Sequence, residues 1–207
     1  MGGDLITSIV LAGGQGRRLG KNKLLEVVGG RPLLQRVIDC LAPVSRRILV
    51  VTAKGQAAPD IQAPETSVET VRDVYPGKGA LGGIYTGLSA MDSRYGLVVA
   101  GDMPFLNSDL LQHLVSLSTD FDVVMPRVRG EIEPLHAVYS LACLPAIHEQ
   151  LARNQLQIRV FLDKARVRYV EEAEMEQLDP SHLSFFNVNT PDDLVEAKAI
   201  ADGMQHS

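Results

Sequence analysis

A dense group of glycines and cations follows a short apolar run near the start of the chain. The run occupies residues 8–11, and the glycines and cations after it are Gly13, Gly14, Gly16, Arg17, Arg18, Gly20, Lys21 and Lys23. Glycine lets a backbone turn sharply and brings its N–H groups close to a ligand. Arginine and lysine form charge-assisted hydrogen bonds to phosphate oxygens. The pattern predicts a buried strand that ends in a polyphosphate-binding loop.

Two common nucleotide-binding loops do not fit this pattern. No Gly-x-x-x-x-Gly-Lys-Ser/Thr string occurs, and the spacing from Gly14 through Gly16 to Gly20 is one residue longer than the dinucleotide fingerprint. The structural alternative is a loop whose glycines only allow tight packing and whose cations are solvated.

Asp102 is the second candidate for chemistry, because it follows the apolar run 97–100. In an open α/β sheet, ligands bind beyond the carboxyl ends of the strands, so this carboxylate is expected in the same crevice as the loop. Proteins commonly hold Mg²⁺ with one or two carboxylates together with substrate phosphates. We therefore predict that Asp102 ligates Mg²⁺; the alternative is a carboxylate that only caps a turn.

Asp73 opens a glycine-rich stretch, residues 73–84, that leads into a predicted helix. Free backbone N–H groups at such a helix start can meet an anionic ligand, and Asp73 could accept a hydrogen bond from a base or a ribose hydroxyl. The alternative is a solvent loop.

Two short strings in the second half of the chain carry weaker signals. In residues 186–191, Asn187 and Asn189 would point the same way if the segment is extended, and Asn189 could complete the metal or acceptor site. Asn187 could instead hold a turn, and Thr190 is expected to cap the last helix. In residues 133–137, His136 could touch an acceptor, although a histidine in a half-buried strand is more often structural.

Strand-like and helix-like segments alternate through most of the chain. This alternation predicts an α/β fold with right-handed βαβ units and a mostly parallel sheet. The predicted strands are 8–11, 47–51, 97–100, 121–125 and 167–170, and the predicted helices are 32–41, 81–91, 108–117, 141–151, 158–162 and one that begins at 190. A β excursion is expected within 126–139, and residues 53–66 are the loosest part.

Length and composition indicate one ordinary globular domain. The chain has 207 residues, of which 45% are hydrophobic and 22% charged, with a net charge of −5. That charge argues against general nucleic-acid binding, and no apolar stretch approaches the roughly 20 residues that span a bilayer. No signal peptide is evident, and Cys40 and Cys143 match no metal spacing. We expect a cytoplasmic protein without membrane or nucleic-acid partners.

Five strings occur in an order and spacing that resemble the MobA-type molybdenum cofactor guanylyltransferases of the nucleotidyltransferase superfamily. They are LAGGQGRRLGKNKLL, DVYPGKGALGGI, VAGDMPFL, EPLHAVYS and NVNTPDDL. The resemblance implies a single Rossmann-like domain over 1–207, a three-layer, GT-A-like sandwich with a nucleotide half (about 1–125) and an acceptor half (about 126–207). It also implies transfer of GMP from GTP to molybdopterin-bound molybdenum cofactor, with Mg²⁺ and release of pyrophosphate. Other cofactor-biosynthesis proteins or molybdoenzyme chaperones are the protein partners it would allow.

The resemblance assigns roles to individual residues. It implies nucleotide contacts for Leu11, Ala12, Gly13, Gly14, Lys23, Asp73 and Asp102. Lys23, Arg18 and Asp102 would be catalytic, with Asp102 as the metal ligand. The acceptor contacts would be Gly20, Gly79, Gly83, Asn187 and Asn189.

The chain departs from the family pattern at three places. Asn22 stands where an aspartate is usual, Ala53-Lys54 stands where an Asn-Arg pair is common, and Ala80 replaces a frequent proline. Base choice therefore stays open at this point, and a cytidylyltransferase acting on molybdenum cofactor or another phosphorylated acceptor is the alternative. A catalytically silent nucleotide-binding module and a sugar-nucleotide pyrophosphorylase are the more distant ones.

Overall fold

The structure, a computed structural model, describes residues 6–13, 23–56 and 60–205. Within them the strands are β1 (Ile6–Leu11), β2 (Val27–Val28), β3 (Arg31–Pro32), β4 (Ser45–Thr52), β5 (Ser67–Arg72), β6 (Tyr95–Ala100), β7 (Val123–Val128), β8 (Glu131–Ile132), β9 (His136–Ser140) and β10 (Val167–Glu171). The α-helices are α1 (Leu33–Leu41), α2 (Gly79–Ala90), α3 (Ser108–Ser116), α4 (Leu144–Ala152), α5 (Arg159–Leu162), α6 (Glu172–Met175) and α7 (Pro191–Gln205).

The central sheet has the strand order β10-β7-β9-β6-β1-β4-β5, with β8 paired to β7. Neighbouring strands are parallel except around β9, which runs antiparallel to both β6 and β7, and in the β7–β8 hairpin. The carboxyl ends of β1, β4, β6 and β7 therefore share one edge of the sheet. The predicted α/β fold with a mostly parallel sheet is confirmed.

Helices cover both faces of this sheet, because successive strand residues point to opposite sides. On one face, α1 and α3 pack onto Val10, Val50 and Val99. On the other face, α2 and α4 pack onto their neighbours Ile9, Leu49 and Val98. Helix, sheet and helix form the three layers that the resemblance implies.

Helix α2 lies very close to β1, and its glycines make this approach possible. A Cβ added at Gly83 would lie 3.1 Å from Leu11 Cδ2, and one added at Gly87 would overlap the side chain of Ile9. The glycines lower helix propensity, but they allow tight packing under the end of β1.

The last helix returns the chain to its N-terminal half. In a third apolar cluster, Leu194 and Ala197 of α7 join Val28, Leu33 and Phe105. No helix in the described part of the chain is long and apolar enough to cross a membrane. The boundary near residue 125, the single domain over 1–207 and the cytoplasmic location stay predictions.

Sequence patterns did not reveal strand β5. Its residues are mostly exposed, and its Glu69 pairs with Arg47 of β4 through Nη2–Oε2 at 2.7 Å. An edge strand of this kind lacks the apolar run that marks a central strand. Residues 185–189 also differ from the extended segment considered above: a 3-10 turn, Leu183–Phe185, is followed by irregular chain.

Candidate nucleotide and metal site

The main chain after β1 lies between the ends of β4 and β6. The amide of Ala12 donates to the carbonyl of Val51 (2.9 Å), and the amide of Gly101 donates to the carbonyl of Leu11 (3.1 Å). Ala12 is buried and Gly13 is exposed. The predicted nucleotide residues Leu11, Ala12 and Gly13 thus lie at the sheet edge where an open α/β fold binds ligands.

Gly13 cannot carry a side chain without moving its neighbour. An added Cβ would lie 2.8 Å from the backbone nitrogen of Ala53. Because Gly13 has no side chain, the backbone after β1 can pack directly against the end of β4. The ends of the two strands therefore form one surface.

Three predicted site residues meet at this edge although they are far apart in the sequence. The Nζ of Lys23 lies 2.5 Å from Asp102 Oδ2 and donates to Asn189 Oδ1 at 3.2 Å. The side chains of Lys23 and Asp102 are only 18% and 14% exposed, respectively. A carboxylate oxygen and an amide oxygen therefore converge on one cationic position.

The backbone around Asp102 is fixed on both sides. Its carbonyl accepts a hydrogen bond from the amide of Val188 (2.9 Å), and the following residues Met103 and Phe105 are buried. The turn that carries the Asp102 carboxylate is therefore fixed by the fold, and the metal-ligand role of Asp102 stays a prediction.

Asn189 is positioned by the start of α7. Asp193 Oδ2 accepts hydrogen bonds from the amides of Asn189 (2.8 Å) and Thr190 (2.7 Å), and Thr190 Oγ1 accepts from the amide of Asp193 (3.2 Å). These N–H donors lower the pKa of the Asp193 carboxyl. The predicted cap at Thr190 is confirmed, and the reciprocal bonds fix the backbone that presents the Asn189 amide to Lys23.

Asn187 does not join this group in the structure. Its Nδ2 donates to the carbonyl of Phe185 (2.9 Å), so it holds the turn before Val188. The two asparagines serve different local roles because the segment is not a strand. Acceptor contacts of Asn187 and Asn189 stay predictions.

Asp73 follows β5 and organises the turn into α2. Its Oδ1 accepts from the amide of Tyr75 (2.8 Å) and from Thr86 Oγ1 (3.0 Å), and its own amide donates to the carbonyl of Thr52 (2.9 Å). Asp73 therefore lies beside the end of β4, at the sheet edge formed by the predicted nucleotide half of the chain. Nucleotide contact by Asp73 stays a prediction.

Gln56 belongs to the same edge, and no sequence pattern pointed to it. Its Nε2 donates to the carbonyl of Ala12 and its Oε1 accepts from the amide of Ala53, both at 3.3 Å. The carboxamide thus bridges the ends of β1 and β4 where the two strands part. Gln56 was missed because it lies in a segment that looks like a loose loop, where a single amide has no distinguishing spacing.

The remaining predicted contacts fall into two groups. Gly79 opens α2 with φ of 62° and open space around it, whereas Gly83 is buried against Leu11. Gly14, Gly16, Arg17, Arg18, Gly20, Lys21 and Asn22 lie outside the described residues. The catalytic role of Arg18, the nucleotide contact of Gly14 and the acceptor contacts of Gly20, Gly79 and Gly83 stay predictions.

His136 is a core residue. It is fully buried at the start of β9, its ring centroid lies 4.7 Å from that of Phe185, and neither ring nitrogen has a hydrogen-bond partner among the described residues. Burial lowers the pKa of His136 from 6.5 to about 3. The backbone of Ser184 lies near the ring and raises this pKa by a smaller amount, although it makes no well-formed hydrogen bond to the ring. The structural alternative for this histidine fits better than contact with an acceptor.

We expect the free energy of unfolding of His136→Leu to fall less than that of the wild-type protein when the pH is lowered from 8 to 5. The unfolded chain binds a proton on this ring below about pH 6.5, whereas the folded chain does so only near pH 3. Stability is therefore lost as the pH falls through that window, by roughly 2 kcal/mol at pH 5 from this group alone. Urea unfolding of both proteins at pH 8 and pH 5 measures it. A constant difference between the two proteins would contradict the prediction.

Comparison with known proteins adds independent information. Residues 8–170 match the family model described as the MobA-like NTP transferase domain. A probable molybdenum cofactor guanylyltransferase of Pelotomaculum thermopropionicum is 35% identical, over 95% of this chain and 93% of that protein. The molybdenum cofactor guanylyltransferase of Desulfosudis oleivorans is 32% identical, over 95% and 96%.

Solved structures show the same fold. The crystal structure of molybdopterin-guanine dinucleotide biosynthesis protein A from Archaeoglobus fulgidus superimposes with a TM-score of 0.78 at 26% identity, over 96% of this chain and 100% of that one. The 2-C-methyl-D-erythritol 4-phosphate cytidylyltransferase of Thermus thermophilus has a TM-score of 0.66 at 17% identity, over 94% and 98%. The second likeness concerns the fold alone.

Proposed function

This chain belongs to the family of MobA-like NTP transferase domains, and we propose that it transfers GMP from GTP to the molybdenum cofactor, forming a guanine dinucleotide and pyrophosphate. The relatives named as molybdenum cofactor guanylyltransferases support the choice of substrates. The convergence of Lys23, Asp102 and Asn189 at the nucleotide edge of the sheet supports the chemistry.

The donor set of this site fits a magnesium ion. Magnesium takes oxygen ligands and is usually held by one or two carboxylates, water and substrate phosphates. Asp102 offers a carboxylate and Asn189 an amide oxygen, and both already face a cation in the form of Lys23. The described residues contain no group of three or more His, Cys, Asp or Glu side chains that could hold a metal ion. In this proposal, substrate phosphates supply the remaining oxygen ligands. When bound, the ion would neutralise charge on the reacting phosphates.

The reaction joins two anions, so positioning and charge stabilisation are what the protein must supply. An oxygen of the acceptor's terminal phosphate forms a bond to the α-phosphorus, and the bond from the α-phosphorus to the bridging oxygen of the β-phosphate breaks. In this proposal the ammonium of Lys23 stabilises the charge that develops on the leaving pyrophosphate.

No side chain needs to act as a general base in this scheme. A phosphate monoester is already ionised at neutral pH and can attack directly. The buried position of His136 agrees with this, since its ring has no exposed surface and its lowered pKa keeps it neutral.

Pyrophosphate release tests the proposed function. Purified protein, Mg²⁺ and molybdenum-loaded molybdopterin are incubated with GTP or with CTP, and each triphosphate is also tested without acceptor. We expect release with GTP only when the acceptor is present. Release with CTP alone would overturn the base assignment. Equal release without acceptor would indicate hydrolysis of the triphosphate to the nucleoside monophosphate and pyrophosphate. Loss of turnover on chelation of Mg²⁺ would establish the metal requirement.

A further inference from the structure

Glu133 stands out among the acidic residues near this sheet edge. It is partly buried, and its carboxylate makes no hydrogen bond or ion pair to any residue in the described part of the chain. Burial, with a smaller contribution from the charge of Glu131, raises its pKa. By contrast, Asp179 and Asp193 of the predicted acceptor half accept hydrogen bonds from backbone amides.

The backbone around Glu133 is firmly held although its side chain is not. Its amide donates to the carbonyl of Pro126 (3.0 Å), and its carbonyl accepts from the amide of His136 (3.1 Å). Tyr139 Oη donates to the carbonyl of Pro134 at 2.7 Å, and the amide of Ala100 donates to the carbonyl of Leu135 at 3.2 Å. A fixed backbone that carries an unpaired, partly buried carboxylate is a preorganised acceptor of hydrogen bonds.

These bonds also place Glu133 relative to the reaction centre. Asp102 lies two residues beyond Ala100, which pairs with Leu135, and β7 runs parallel to β6 because both are antiparallel to β9. Glu133 lies beside β7, so it is at the same edge of the sheet as Asp102. Because β10 occupies the other side of β7, Glu133 lies on the β9 side, and its chain segment is about one strand spacing, or about 5 Å, from that of β6.

The neighbouring hairpin forms a wall next to Glu133. The strands β7 and β8 are joined through Arg129 and Gly130, both at positive φ. Arg127 Nη1 binds Glu171 Oε1 at 3.0 Å, and Glu131 pairs with Arg159. Glu133 therefore lies at the base of a braced hairpin in the predicted acceptor half of the chain.

The chemistry of a carboxylate restricts what can bind here. An ionised carboxylate is negatively charged, so it repels phosphate and thiolate groups. Because it only accepts hydrogen bonds, it prefers neighbouring N–H donors. The acceptor in the proposed reaction carries a pterin, whose pyrimidine ring presents an N3–H and a 2-amino group side by side. Guanine presents the same edge, but the residues assigned to the nucleotide, Ala12 and Asp73, lie beyond β6 from Glu133, at the ends of β1 and β5.

We propose that Glu133 is a recognition residue for the acceptor and binds the N3–H and 2-amino edge of its pterin ring. This inference rests on the proposed function, and it assigns the pterin pocket to the β7–β9 side of the sheet edge. The phosphate arm of the acceptor would then extend along the edge toward Asp102.

Two fluorescent probes test the inference: 6-hydroxymethylpterin phosphate and the matching lumazine, in which an oxygen replaces the 2-amino group. Wild-type protein is expected to prefer the pterin. In Glu133→Gln, the Kd of the pterin rises about 10- to 100-fold and the preference largely disappears. The KM for molybdenum cofactor rises similarly, whereas the KM for GTP is unchanged. Glu131→Gln is the matched control, since it removes a nearby carboxylate that is exposed and already paired with Arg159.

The outcomes distinguish pterin recognition by Glu133 from the proposed GMP transfer. If wild-type protein releases pyrophosphate but Glu133→Gln keeps the pterin preference, the inference is wrong and the proposed function stands. The same holds if Glu131→Gln has an equal effect. If wild-type protein neither binds the pterin probe nor turns over, the proposed function fails and the inference fails with it. Thermal unfolding of both variants establishes that they are folded.

Discussion

Asp102→Asn is expected to lower kcat for GMP transfer about 1,000-fold at saturating Mg²⁺. Asparagine keeps the shape of the side chain but removes the charge that attracts both Lys23 and a metal ion. The Asp102 side chain is only 14% exposed, and its backbone carbonyl accepts a hydrogen bond from the amide of Val188, so the fold fixes where this charge lies. Steady-state kinetics with GTP and molybdenum cofactor give kcat and both KM values.

Asp92→Asn is the control for this variant. Asp92 is an exposed carboxylate that pairs with Arg46 through Oδ1–Nη2 at 2.9 Å, before the start of β6 rather than after its end. We expect its kcat to be unchanged. Activity of Asp102→Asn within a factor of about 10 of wild type would exclude a central role for this carboxylate, since losing one such interaction typically costs more.

Lys23→Met is expected to lower kcat about 100- to 1,000-fold, with a smaller change in the KM for GTP. The ammonium would interact most strongly with the charge that develops on the leaving pyrophosphate, so its loss raises the barrier more than it weakens ground-state binding. Methionine fills a similar volume, which limits effects on packing. Lys23→Arg keeps the charge but changes its geometry, and an intermediate rate is expected.

The matched control for Lys23→Met is Lys164→Met, at an exposed lysine whose Nζ lies 3.7 Å from Glu149 Oε2. Its kinetics should equal those of wild type. A Lys23→Met enzyme in which only the KM for GTP rises, at full kcat, would contradict a role in the transition state and leave Lys23 as a binding residue.

The sequence predicts the central strands well, and it places Asp102 directly after one of them, for a physical reason. Central parallel strands are buried on both faces, so β1, β4 and β6 appear as short apolar runs, and Asp102 is recognisable as the polar residue after one of them. Helix starts are equally visible when caps are present, as at Thr190, whose Oγ1 accepts from the amide of Asp193.

Tertiary contacts decide what the sequence leaves open. The bridging position of Gln56 depends on how far the ends of β1 and β4 separate, which no local spacing encodes. The different roles of Asn187 and Asn189 follow from a 3-10 turn before them and a capped helix after them. The motif in residues 133–137 marks a segment near the site. Burial shows that its histidine, His136, belongs to the core, whereas Glu133 lies partly exposed at the edge of the sheet.

The most direct test of GMP transfer by this protein follows the α-phosphorus of GTP through the reaction. Wild-type protein and Asp102→Asn are given GTP radiolabelled at the α-phosphate, with Mg²⁺ and molybdenum-loaded molybdopterin, and the products are separated. We expect label in a guanine dinucleotide made by the wild type, unlabelled pyrophosphate in equal amount, and almost no labelled dinucleotide from the variant. Label recovered as free GMP, or equal transfer by the two proteins, would contradict this expectation.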